Sequence, residues 1–170
     1  MPDPIFRPLV AADLAATVAM QCRAMAVLGR THYTAGQTAL LVAATEAPDY
    51  PDELLANDIW VAVDPDGAVI GSAGWGAVPG AAHGRIRKVF VEPALAGRGL
   101  GRRLVEAAEA RARAAGIRGF VVRANLNAVA FYERLGYRPT GPGSMAVAGG
   151  GSGGGAVPMT MMEKLSETVL

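Results

Sequence analysis

The residues best placed to do chemistry lie between Arg87 and Tyr137. A strand-like run, Arg87-Lys88-Val89-Phe90-Val91, is stopped by Glu92-Pro93, and a glycine turn, Gly97-Arg98-Gly99-Leu100-Gly101, then leads straight into a helical pattern from Arg102 to Ala115. A helix start carries N–H groups with no intrahelical partner and a partial positive charge, and glycines let an anion approach the backbone closely. The chemistry implied is phosphate binding by main-chain donors. A second strand, Phe120 to Ala124, runs into Asn125-Leu126-Asn127-Ala128-Val129-Ala130-Phe131-Tyr132-Glu133-Arg134-Leu135-Gly136-Tyr137. Tyr132 brings a phenol that is protonated at neutral pH, with a reference pKa of about 10; its competing role is packing beside Phe131.

Two familiar phosphate motifs fit poorly. A P-loop ends in Gly-Lys-Ser/Thr, whereas this turn continues Gly101-Arg102-Arg103. A dinucleotide fingerprint is more widely spaced and needs an acid on the following strand, where this chain has Arg123.

Further elements must position that stretch. Ile5 to Val10 reads as a short strand, with Pro4 and Pro8 suiting a sheet edge. Asp13 is a cap for a helix to about Leu28, with Leu14, Val18, Gln21, Met25 and Leu28 along one face. Thr34 caps a second helix that ends before Pro48, and Leu54-Leu55 suits one helical turn. Ile59 to Val63 and Val69 to Trp75 form a hairpin about Pro65-Asp66-Gly67, and Pro79-Gly80 turns into the strand ending at Val91. The helix after the glycine turn buries Leu100, Leu104, Ala107 and Ala108 and exposes Arg102, Arg103, Glu106, Glu109 and Arg113. Glu109 and Arg113 form an i,i+4 pair, and Gly116-Ile117 ends the helix. Asn127 is expected to cap the next helix. Gly141 to Gly155 is expected to be an irregular loop, either a mobile surface connection or a flexible flap bordering a ligand site, with Met159 to Leu165 a final strand. The order is one strand, two helices, three antiparallel strands, helix, strand, helix and two strands: a mixed sheet with helices on both faces.

With 170 residues, 51% hydrophobic and 18% charged, the chain suits one globular domain, residues 1–170. A net charge of +1 argues against an extended nucleic-acid or anionic-membrane surface, although Arg98, Arg102 and Arg103 crowd the helix start, with Arg85, Arg87 and Lys88 on the strand before it. The lone Cys22 builds neither a disulfide framework nor a cysteine zinc site, and reads as buried filler. With no secretion signal and no run approaching a bilayer span, a soluble, cytoplasmic protein is expected.

The segment Val89-Phe90-Val91-Glu92-Pro93 with Gly97-Arg98-Gly99-Leu100-Gly101-Arg102-Arg103-Leu104 resembles the GCN5-related N-acetyltransferase superfamily, whose pattern is a Val-x-Pro strand end followed by Arg/Gln-x-x-Gly-x-Gly/Ala. Asn125-x-x-Ala128-x-x-Phe131-Tyr132-Glu133-x-x-Gly136-Tyr137 matches the second half of that pattern. One departure is Ala96 at the Arg/Gln position. The resemblance implies a three-layer α/β/α domain, its mixed, mostly antiparallel sheet of about seven strands having a splayed central pair. It implies acetyl-CoA as cofactor, with its pyrophosphate on the amides of Gly97, Arg98, Gly99, Leu100, Gly101 and Arg102. The pantetheine arm would pair with Val89, Phe90 and Val91, and Asn125 would touch the cofactor while Asn127 caps the helix, or the two asparagines exchange these roles. Tyr132 falls on the family's proton donor, and a backbone N–H near Phe90–Val91 would face the developing oxyanion.

The activity implied is acetyl transfer to a primary amine of a small molecule or peptide, directly, in a ternary complex. A non-catalytic acyl-CoA sensor stays open as the alternative. Candidate bases are His32, His83 and Glu92. The expected partners are the amine substrate and, as one option, a second copy of the chain; no nucleic acid, membrane or metal is expected.

Overall fold

The computed structural model describes residues 3–148 and 154–165. Seven strands form one sheet: β1 (Ile5–Pro8), β2 (Asp58–Val63), β3 (Val69–Ala77), β4 (His83–Val91), β5 (Gly119–Asn125), β6 (Arg138–Val147) and β7 (Gly155–Leu165). Their spatial order is β1-β2-β3-β4-β5-β7-β6. All neighbours are antiparallel except β4 and β5, which run parallel and pair only at His83↔Gly119, Gly84↔Phe120 and Arg85↔Val121. Beyond those three pairs the strands separate, so Ile86–Val91 and Val122–Asn125 border a gap in mid-sheet. The splayed pair expected from the resemblance is therefore present.

Helices α1 (Leu14–Leu28), α2 (Ala35–Thr45) and α3 (Tyr50–Leu55) cover one face, and α4 (Leu100–Ala114) and α5 (Val129–Arg134) the other. The larger core lies under α4, where Leu104, Val105 and Ala108 meet Ile86, Phe120 and Val122. Close approach of α4 to the sheet depends on Gly71: a Cβ there would lie 2.7 Å from Leu104 Cδ1. Glycine turn signals are realised locally. Gly67 and Gly116 have φ of 87° and 91°, and Ile117 N–H reaches back to Ala112 O at 3.0 Å to close α4. Thr34 caps α2 through a reciprocal box: Gln37 N–H donates to Thr34 Oγ1 at 3.1 Å, and Thr34 N–H to Gln37 Oε1 at 3.0 Å.

Several expectations are corrected. Asp13 does not cap α1; a 3₁₀ turn, Ala11–Asp13, precedes that helix, and the Asp13 carboxylate accepts from Arg7 at 2.6 and 2.8 Å and from Val10 N–H at 3.0 Å. The deepest residues of α1 are Thr17, Met20, Gln21 and Ala24, while Leu14 and Val18 turn toward Tyr50 and Leu54. The continuous helical stretch Ala11–Thr31 is long and apolar enough to cross a membrane by length and composition, contrary to the sequence expectation, although here its inner residues are buried in the fold. Glu109 is not on the outer face of α4: it is 2% exposed and accepts from Tyr137 (2.8 Å), Lys164 (2.9 and 3.1 Å) and Arg113 (3.0 Å). Cys22 is half-buried, with Sγ 3.0 Å from Thr45 Oγ1.

The described part of the glycine-rich segment is mostly strand, because β6 and β7 pair continuously from Gly141↔Met161 to Val147↔Gly155. Alternating main-chain hydrogen bonds with a partner strand compensate for the poor strand propensity of glycine and proline. Residues 149–153, the centre of the expected loop, lie outside the described residues.

Candidate functional site

A bulge in β4 shapes the mid-sheet gap. Ser72 stands opposite Phe90 and Gly74 opposite Arg87, so β4 carries an extra residue there, and Lys88 has a φ of 56°. A buried chain of side chains holds it. Tyr50 Oη donates to Gln21 Oε1 (2.7 Å), Gln21 Nε2 to Ser72 Oγ (3.0 Å), and Ser72 Oγ to Lys88 O (2.7 Å). Past the bulge, Glu92 N–H donates to Ile70 O at 2.8 Å. Successive peptide groups of a strand alternate in direction, so the N–H and C=O of Val91 face away from β3, toward the gap.

The glycine turn closes one end. Gly97 and Gly99 have φ of 76° and 85°, and a Cβ at either would meet nothing within 4 Å. The first backbone bond of α4 runs from Arg103 N–H to Gly99 O at 3.2 Å. Among the described residues, the amides of residues 97–102 donate to no backbone carbonyl. These orphaned donors at the positive end of a 15-residue helix fit a diphosphate. Gly101 has a packing reason as well: a Cβ there would come within 3.2 Å of the Phe131 ring.

A cavity of about 490 Å³ runs from this turn along the gap. Of the residues picked out from sequence, Val89, Phe90, Val91, Gly97, Gly99 and Gly101 line it, as do Arg102, Asn125 and Tyr132. Arg98 is exposed and Leu100 is buried in the core; neither side chain lines the cavity, so only their amides are available to it. Asn127, expected as a helix cap, makes no capping bond: the residue ahead of α5 is Ala128, and Asn127 lines the cavity instead. Unforeseen contributors are Met25, Leu28, Gly29 and Leu41 from α1, α2 and their connection.

A second cavity of about 420 Å³ lies beside α3. It shares Met25, Val89, Phe90, Asn125, Ala128 and Tyr132 with the first, so the two meet at the gap. Tyr132 is 5% exposed and stacks edge-on with Phe131 and Tyr137, centroids 5.0 and 5.4 Å away. Its hydroxyl makes no hydrogen bond among the described residues, and burial pushes its pKa up, so it carries its proton at neutral pH. The turn bearing Asn125 is pinned by Tyr33, which accepts from Leu126 N–H (2.9 Å) and donates to Pro158 O (2.8 Å).

The basic residues divide. Arg103 pairs with Asp3 at 3.0 Å and Arg102 with Glu106 at 3.8 Å, while Arg85, Arg87 and Lys88 line the second cavity, not the helix start. Glu53 meets Arg87 at 2.8 Å and Lys88 at 3.0 Å, and the Lys88 ammonium sits 4.2 Å from the Tyr50 ring centroid. Burial, opposed by Glu53, lowers the Lys88 pKa. The proposed bases fall outside: His32 is exposed, Glu92 is paired with Arg23 at 2.8 Å, and His83 packs at the start of β4; none lines either cavity. Among the described residues no cluster of three or more His, Cys, Asp or Glu suits a metal.

The sequence profile of the acetyltransferase (GNAT) family matches residues 32–137, which include the glycine turn and Tyr132. No curated protein matches the chain significantly. Among solved structures, a GCN5-related N-acetyltransferase from Rhodopseudomonas palustris superposes with a TM-score of 0.82 at 25% identity, covering 97% of each chain. PaiA N-acetyltransferase from Thermoplasma acidophilum, in complex with coenzyme A, gives 0.73 at 16% identity over 96% of this chain and 99% of that one. A phosphinothricin acetyltransferase from Sinorhizobium meliloti, in complex with acetyl-CoA, gives 0.63 at 22% identity over 99% and 91%.

Proposed function

The chain belongs to the acetyltransferase (GNAT) family, and on that premise we propose that it acetylates a primary amine of a small molecule or peptide, with acetyl-CoA as donor, by direct transfer in a ternary complex. The observation that carries this reading is the meeting of the two cavities at Val89, Phe90, Asn125 and Tyr132, below a turn of orphaned amides. The family and two coenzyme-bound neighbours of the same fold support acetyl-CoA as the cofactor.

Acetyl-CoA supplies the acyl group as an activated thioester. The amides of Gly97 to Arg102 hold its diphosphate, replacing the side-chain contact that Ala96 does not offer. The gap-facing peptide groups of Val89 and Val91 bind the pantetheine amides, with Phe90 and Asn125 beside the arm. Val91 N–H also offers a donor to negative charge developing on the carbonyl oxygen. Two reactants held in adjoining cavities lose translational freedom before reaction.

Tyr132 holds a proton on Oη for the departing sulfur. Burial raises the phenol pKa, so Oη keeps that proton at neutral pH until a base as strong as a thiolate forms beside it. The acceptor amine must be neutral to attack. The four cations lining the second cavity, Arg85, Arg87, Lys88 and Arg123, disfavour an ammonium ion beside them and so increase the neutral fraction. No base role is assigned to His32, His83 or Glu92.

Calorimetric titration with coenzyme A, followed by thiol release from acetyl-CoA across an amine panel, tests the reading. Uptake with turnover is the expected result. Absence of uptake by the folded chain overturns it.

A further inference from the structure

Arg85 and Arg87 lie two residues apart on β4, and the pairing Arg85↔Val121 puts Arg123 of β5 level with Arg87 on the same face. All three line the second cavity with Lys88, against two carboxylates, Glu53 and Asp49. Glu53 is shared between Arg87 and Lys88, and Arg87 also donates to Asn57 Oδ1 at 2.9 Å. Arg85 and Arg123 form no ion pair among the described residues, and Arg85 Nε is buried without a hydrogen-bond partner. Arg123 as a residue is exposed; partial burial of its guanidinium, and then the charges of Arg85 and Arg87, press its pKa down. Uncompensated guanidinium groups gathered in a cleft carry a desolvation and repulsion cost that a bound anion relieves.

Resting on the acetyl-transfer reading, we propose that the acceptor is a small primary amine that also carries an anionic group, a carboxylate or phosphate, held by Arg85 and Arg123 in the second cavity. A planar guanidinium fork matches either anion with two parallel hydrogen bonds. The cavity volume of about 420 Å³ is that of a small-molecule site. Met25, Met145 and Met159 give it an adaptable apolar wall for the body of the ligand. Arg123 lies two residues before Asn125, about 7 Å along a strand, so one small molecule reaches from the arginines to the junction of the cavities.

Thiol release with matched acceptors tests this: phenylalanine against phenethylamine, methionine against 3-(methylthio)propylamine, and phosphoethanolamine against ethanolamine. The first two pairs probe a carboxylate and the third a phosphate. The anionic member of at least one pair should have the higher kcat/KM, by roughly tenfold or more, since a charge-assisted contact is lost in its partner. Arg123→Gln should remove that advantage by raising KM for the anionic member far more than for its partner lacking the anion. Thermal stabilisation by N-acetylphenylalanine over N-phenethylacetamide gives a readout independent of turnover, and it too should vanish in Arg123→Gln. Equal use of both members of every pair, with no change in Arg123→Gln, overturns the proposal and leaves acetyl transfer standing. Absence of coenzyme A uptake overturns acetyl transfer first and the anionic acceptor with it.

Discussion

Ser72 Oγ donates to the carbonyl oxygen of Lys88 at 2.7 Å, and Lys88 is the one non-glycine residue with positive φ among the described residues. The contact fixes the point where β4 changes the direction of its side chains between the arginine pair and the gap. Ser72→Ala removes it from a buried chain and leaves Gln21 without its acceptor. The expected loss is about 1–3 kcal/mol in urea denaturation, with weaker coenzyme A binding by calorimetry, because the peptide groups of Val89 and Val91 lose their alignment. An unchanged Kd would detach the bulge from the cofactor.

At Gly99, φ is 85° and the space around a Cβ is open, so Gly99→Ala tests strain and cradle together. Gly67→Ala, with a φ of 87° in the hairpin turn and equally open space, is the matched control. Both should lose about 1–2 kcal/mol of stability from the left-handed backbone. Only Gly99→Ala should raise the Kd for coenzyme A. Equal affinities would show that the turn does not bind the diphosphate.

Tyr132→Phe keeps the ring between Phe131 and Tyr137 and removes only an unpartnered hydroxyl. Turnover should fall on the order of a hundredfold or more, with acetyl-CoA affinity within about twofold. Wild-type kcat in the variant would assign the proton to solvent.

Asp13, bound by Arg7 and Val10 N–H, has its pKa held below the usual carboxylate value, first by the Arg7 hydrogen bonds. A depressed carboxylate contributes stability that is fully present above its unfolded pKa of about 3.9 and is lost as pH falls through the lower folded value. Asp13→Asn should therefore lower Tm at neutral pH and flatten the decline below about pH 4. Parallel Tm–pH curves for both proteins would contradict that linkage.

What the chain reveals before folding depends on how local each cause is. The turns at Gly67, Gly97, Gly99 and Gly116 and the cap at Thr34 rest on contacts a few residues apart and are readable directly. The run of unpaired donors at residues 97–102 is legible because they are consecutive amides at a helix start. Glu109 is not, since its partners Tyr137 and Lys164 lie 28 and 55 residues away and override the polar assignment that helical periodicity gives it. Of the two roles open to Asn127, capping fails because a 3₁₀ turn, Leu126–Ala128, shifts the start of α5. Arg85, Arg87 and Lys88 look like part of the helix-start patch until the bulge sets their direction. The second cavity draws on α2, α3, β4, β5 and β6, and no short motif spans those pieces.

Only three residue pairs bridge β4 and β5, so the sheet is two stacks of strands, β1 to β4 and β5 with β7 and β6, sharing a short seam. A ligand that lends its own amides to the open stretch supplies the missing rungs of the ladder. Occupancy then becomes part of the molecule's cohesion: the filled protein resists pulling apart of its halves, while the empty one has its weakest line along the gap between β4 and β5.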